Sequence, residues 1–137
     1  MDRRIRIVIL CLALIAIASA ANAVMDTLSF RFSQSVFASA TNARNWLDPQ
    51  TSWRNKWKNG DPVQGEAFLF SSTALVALTD AWHLAKAIAI LCILLAILLP
   101  FTLVFKLPWF GWLGIFVGMK LLYGLVFEGL FAYGFIR

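Results

Sequence analysis

From Ala87 to Phe105 the chain runs nineteen residues without a charge: Ala-Ile-Ala-Ile-Leu-Cys-Ile-Leu-Leu-Ala-Ile-Leu-Leu-Pro-Phe-Thr-Leu-Val-Phe. At about 1.5 Å of rise per helical residue, such a run nearly matches the roughly 30 Å hydrocarbon core of a bilayer. It fixes the solvent before anything else is known, because a surface this apolar belongs in lipid. The rest of the composition agrees. Of 137 residues, 61% are hydrophobic and 14% charged, against about 25% charged in a soluble domain. The expectation is an all-α membrane protein forming a single integral membrane domain over residues 1–137.

Two further apolar stretches predict two further spans. The first covers about residues 5–24, directly after Arg3 and Arg4. A basic start, an apolar stretch and Ala21-Asn22-Ala23 also fit a cleavable secretory signal. A retained helix is the preferred reading, because the apolar pattern continues through Val24, Met25 and Leu28. The second span is predicted over about 73–106, with Ser71 or Ser72 as N-cap and a kink at Pro100. The third runs over about 109–136, after Leu107-Pro108, so that the second and third spans form a helical hairpin.

Between the first two spans, residues 25–72 form an amphipathic, Trp-rich loop. Phe30, Phe32, Val36 and Phe37 alternate with polar residues, and Asp48-Pro49 and Gly60-Asp61-Pro62 signal turns. Trp53 and Trp57 sit among Arg54, Lys56 and Lys58. Indole rings and cations together make an interfacial element, the rings among head groups and the cations on phosphates; a loop using those rings as its own core is the alternative. Trp82, Trp109 and Trp112 are also expected at the membrane interface.

The net charge of +5 is divided between Arg3, Arg4, Arg6 and a separate group at Arg54, Lys56, Lys58. A continuous basic face for nucleic acid is missing, so membrane lipids are the expected partners. Cys11 and Cys92 both lie in apolar runs and behave as small hydrophobes. With one histidine and no Cys-x-x-Cys spacing, no confident metal site is expected, and no cofactor. Arg3, Arg4, Arg6 and Lys106 on one side outweigh the charges close to the spans on the other. This leans toward a cytoplasmic N-terminus in a multi-pass protein of a bacterial inner membrane.

The third span carries two signals of its own. Gly111, Gly114 and Gly118 offer a helix-packing face, with Gly114 and Gly118 as a small-xxx-small pair that admits another helix backbone. They imply a homo- or hetero-oligomer, or packing within the chain. Lys120 falls near mid-membrane, where a cation costs roughly 2.5–3.5 kcal/mol, and the sequence offers it no partner.

Equal rise along the two arms of the hairpin sets residues of equal depth beside one another. Lys86 comes level with Glu128, His83 with Tyr133 and Asp80 with Arg137, and Asp26 at the end of the first span lies at similar depth. Asp26, Asp80, His83, Lys86, Glu128 and Tyr133 are therefore expected as a polar cluster in one leaflet. Asp80, His83 and Lys86 are spaced by three and share a helix face. Asp80, His83 and Glu128 are the candidate catalytic residues, since carboxylates and an imidazole can move protons. The competing reading is structural: Lys86 with Glu128 and Asp80 with Arg137 offset each other's burial.

The strings Asn22-Ala-Val-Met-Asp26-Thr-Leu-Ser-Phe30, Trp46-Leu-Asp48-Pro49-Gln-Thr-Ser52-Trp53-Arg-Asn55-Lys56-Trp57 and Leu78-Thr79-Asp80-Ala-Trp82-His83 resemble those of a group of small, uncharacterised bacterial integral membrane proteins. The resemblance covers about residues 22–86 and implies no activity. Two functional readings follow from the sequence. The preferred one is a small polytopic membrane protein with a non-catalytic accessory or assembly role. The alternative is a membrane-embedded enzyme or an ion- or proton-coupled site using Asp26, Asp80, His83 and Glu128.

Overall fold

The structure is a computed structural model and describes residues 1–129, with the side chains of 127–129 left aside. Among the described residues it is all-helical, and three helices are long and apolar enough to cross a membrane. They are α1 (Arg3–Phe30), α3 (Ala81–Phe101) and α4 (Trp109–Gly129); α2 (Arg44–Leu47) is one turn between α1 and α3. The described chain forms two compact units, one of Ala16–Leu91 and one of Met1–Ile15 with the chain from Cys92 onward.

In the Ala16–Leu91 unit, the C-terminal half of α1 meets the start of α3 in antiparallel fashion. Small side chains permit this. Ala21, Ala85 and Ala89 are buried against one another, with Val24 and Met25 packed around them. Nearer the loop, the Trp82 indole N–H donates to Ser29 Oγ at 3.0 Å. The end of α1 and the beginning of α3 therefore lie level, and the whole segment 31–80 leaves and re-enters on one face. α1 also runs unbroken through Ala21-Asn22-Ala23, with Ala18 and Ala21 buried. Its 28 residues rise about 42 Å at 1.5 Å each, more than a hydrocarbon core needs.

The connecting segment is a chain of 3-10 turns with one short antiparallel pairing. Lys58 N–H donates to Gly65 O at 3.0 Å and Ala67 N–H to Lys56 O at 2.9 Å, around a bridge between Trp57 and Glu66. The turn joining them is the expected Gly60-Asp61-Pro62. Asp61 Oδ1 accepts from Val63 N–H at 3.0 Å, Pro62 stands at the first position of the turn, and Asn59, Gly60 and Gly65 adopt positive φ. At the second expected turn, Asp48 Oδ1 accepts from Gln50 N–H at 3.0 Å.

α3 begins at Ala81, well after the serines expected to cap it. The reason is competition for their hydroxyls. Ser71 Oγ donates to Lys56 O at 2.7 Å, and Ser72 donates to the Glu66 carboxylate. Phe70 takes φ +60°, which no helix continues through. The cap is Asp80, whose Oδ1 accepts from His83 N–H at 2.9 Å while its carbonyl accepts from Leu84 N–H at 3.1 Å. That is the geometry of an N-cap with its third helical residue.

In the other unit, α3 ends at Phe101 and residues 102–104 continue as a turn. Pro100 thus stops the helix instead of kinking a longer one. Lacking an N–H, it leaves the Ala96 carbonyl without its helical donor. Cys11 of α1 fills that gap, with its Sγ 3.5 Å from Ala96 O. Arg3 Nη2 reaches Thr102 O at 3.4 Å, so α1 and α3 are antiparallel here as well. α4 starts at Trp109, where Pro108 O accepts from Gly111 N–H at 2.9 Å. None of the residues of α4 in Trp109–Val126 is buried. A Cβ on Gly111 would touch Leu107 at 3.4 Å, but Gly114, Gly118 and Gly124 each face open space within 4 Å.

Candidate functional site

The start of α3 holds three of the six polar residues that the spacing singled out, Asp80, His83 and Lys86. Asp80 is 2% exposed, and both carboxylate oxygens are occupied. Oδ1 caps the helix; Oδ2 accepts from Thr79 Oγ1 at 3.0 Å and lies 2.7 Å from His83 Nδ1. Burial pushes the Asp80 carboxyl up. The hydrogen bonds from the His83 ring and backbone, the imidazole's charge when protonated and the Thr79 hydroxyl outweigh it, leaving Asp80 below the ordinary aspartate range. An ionised carboxylate can only accept, so Nδ1 of His83 carries a proton and Nε2 is left as the ring's other functional atom.

His83 keeps 26% of its side chain exposed and lines an open cleft of about 230 Å³ with Ser29, Pro49, Ser52, Trp53, Asp80 and Trp82. Three segments build these walls, and one side chain ties two of them together. Asn55 Nδ2 donates to Asn45 O and to Thr79 O, each at 2.9 Å. Asn55 thereby fixes the turn of 52–56 against the residue just before the cap. The Trp53 indole N–H donates to Gln50 O at 3.2 Å, holding that ring at the rim.

Cations lie over the rings expected at the interface. Arg54 stands 5.3 Å from the Trp53 centroid, Lys56 5.7 Å from Trp57 and Lys86 5.2 Å from Trp82. Each is worth about 0.5–1 kcal/mol when exposed. Trp82 also meets the His83 ring edge-on, with centroids 5.1 Å apart.

Of the expected cluster, the structure joins Asp80 with His83 directly and sets Lys86 over Trp82. Asp26 is exposed and takes a 3.4 Å hydrogen bond from Asn22 Nδ2. Glu128 falls within the backbone of α4, its side chain outside the described set; Tyr133 and Arg137 lie outside the described residues. Lys120 is exposed on α4. Among the described residues, no three His, Cys, Asp or Glu side chains gather at metal-binding range.

Sequence reasoning passed over Ser29, Ser52, Asn55 and Thr79. Ser52 and Thr79 are buried polar residues, and Ser29 and Ser52 line the cleft. Their signal was present, since all four stand in the strings that carry the resemblance, but nothing in the spacing placed those strings together in space. No family model, no curated protein and no solved structure matches the chain.

Proposed function

We propose that the protein is a small multi-pass membrane protein with a non-catalytic accessory or assembly role, whose last span docks on a partner helix. The observation that carries this is the surface of α4. It has no buried residue over Trp109–Val126, and Gly114 and Gly118 present bare backbone on one side. Small residues at this spacing let helix backbones approach closely in lipid. Lys120, exposed on another side of the same helix, adds a second demand, since a cation facing lipid alone costs roughly 2.5–3.5 kcal/mol. The hairpin of α3 with α4, an inner-membrane location and a cytoplasmic N-terminus belong to the same proposal. They are supported by the cations Arg3, Arg4, Arg6 and Lys106 and by the resemblance to small bacterial membrane proteins.

The test is energy transfer between labelled full-length chains in vesicles, together with co-purification in mild detergent. Gly114→Leu and Gly118→Leu should each abolish self-association or release the co-purifying protein. A chain that stays monomeric at every lipid ratio and carries no companion would refute the proposal.

A second reading is favoured by one observation. The buried Asp80 fixes the tautomer of His83, and the ring lines a cleft together with Ser29 and Ser52. This is an arrangement for accepting a proton at Nε2. Under that reading His83→Gln abolishes a cellular phenotype while leaving thermal stability in detergent unchanged.

A further inference from the structure

The loop presents an apolar tip that its own fold does not cover. Phe68, Leu69 and Phe70 are all exposed, Leu69 to 72%. They are not a slack segment. Glu66 Oε2 accepts from Phe70 N–H at 3.0 Å, Oε1 accepts from Ser72 N–H at 3.1 Å, and Ser72 Oγ donates to Oε1 as well. Ser71 pins the other flank through Lys56 O. Phe70 is held at φ +60°, a conformation in which a bulky residue is an outlier. A strained backbone stabilised by a carboxylate clasp, in order to display three large apolar side chains, asks for an apolar medium at that place.

The ends of the loop point to the medium. The Ser29–Trp82 hydrogen bond sets both ends of segment 31–80 level at the ends of two membrane-length helices. The segment therefore emerges on one face of the bilayer those helices cross. The segment that pairs with Gly65–Ala67 is Lys56-Trp57-Lys58, which sets two cations and an indole against the residues that lead into the apolar tip. Large apolar side chains with cations and an indole alongside are the composition of a lipid interface, where rings sit at the acyl boundary and ammonium groups meet phosphates.

We propose that Phe68-Leu69-Phe70 is a hook inserted into the head-group and acyl boundary of the protein's own bilayer, set by the Glu66 clasp and flanked by Lys56 and Lys58 on lipid phosphates. The inference rests on the membrane reading of α1 and α3 and is independent of any partner for α4. The hydroxyl and then the N–H of Ser72 hold the Glu66 carboxyl below the usual glutamate range against the opposing effect of desolvation, with the N–H of Phe70 adding least. The clasp is thus ionised at neutral pH and remains closed.

The experiment places a nitroxide at Leu69→Cys in the full-length chain, with Cys11→Ser and Cys92→Ala, in vesicles of phosphatidylcholine and phosphatidylglycerol. A second label at Ile93→Cys on α3 reports the span. Collision rates are measured with oxygen and with a water-soluble nickel chelate. The expected result is that both labels favour oxygen, and that Glu66→Gln raises the nickel collision rate at 69 several-fold while 93 is unchanged. A label at 69 open to nickel while 93 favours oxygen overturns the hook and spares the membrane reading. If 93 is also open to nickel, the membrane reading falls with it. Dipolar broadening between 69 labels of different chains would assign the tip to a second copy and overturn the proposal. An unchanged profile in Glu66→Gln would remove the clasp from it.

Discussion

Asp80 and His83 are joined twice, once through the His83 backbone N–H at 2.9 Å and once through its ring Nδ1 at 2.7 Å. One carboxylate therefore starts a membrane helix and orients the only histidine in the chain. Loss of the Asp80 carboxylate therefore removes the cap and the ring's partner together, whereas a change of the His83 side chain leaves the backbone cap in place.

Asp80→Ala is expected to lower stability in detergent by about 2 kcal/mol, from the lost cap and the donors left without an acceptor. The pH dependence has a definite sign. The folded-state value of Asp80 is depressed, so its contribution is complete above the unfolded aspartate value of about 3.9. The contribution fades as pH falls through the lower folded value. Asp80→Asn should be less stable than the parent at pH 7, and the gap should close in strong acid. Thermal melts carried from pH 7 down to about pH 1 read this directly.

Cys11 and Ala96 form a repair contact across two helices. Cys11→Ala should cost about 0.6 kcal/mol, the mean for an interhelical hydrogen bond in lipid, and Cys11→Ser should retain the stability. Pro100→Ala restores the missing N–H, so Cys11→Ala should be close to neutral in that background. A double-mutant cycle of unfolding free energies in mixed micelles checks the coupling.

Asn55 ties two carbonyls with one amide. Asn55→Ala should destabilise the loop by about 1–3 kcal/mol. Asn55→Asp should be worse, because an ionised carboxylate cannot donate and would face two carbonyl oxygens. Limited proteolysis of segment 31–80 should become faster in that order, with α3 itself still protected.

Ala85 packs against Ala21 and Ala89, where there is space for little more than a methyl group. Ala85→Leu should cost about 1–3 kcal/mol by overpacking, and Ala85→Gly should be tolerated better than Ala85→Leu. Urea-free thermal denaturation in detergent, followed by helical ellipticity, distinguishes the two.

How far the residues alone reach can be seen at α3. Its uncharged run was enough to place a membrane-length helix, and the spacing of three singled out Asp80 and His83 together, but Asp80 stands as the cap before that helix and not on its face. The start of that helix was not legible. Ser71, Ser72 and Asp80 are all good caps locally, and the choice among them depends on Lys56 O and Glu66, distant partners that claim the serine hydroxyls first. Pro100 has the same lesson. Its chemistry predicts a disturbed helix, but whether the helix bends or stops depends on what else satisfies Ala96 O.

Helix length and apolar composition are local sums, so the sequence determined by itself that three segments are long and apolar enough to cross a bilayer and that a polar, Trp-rich segment follows the first. Hydrogen-bond partnership is a matter of competition in space. Only the tertiary structure decided that Asp80 caps α3, that Asn55 holds Thr79, that Cys11 serves Ala96 and that Glu66 clasps Phe70 and Ser72, because each of these groups had several chemically equivalent partners along the chain and folding decided which came within reach.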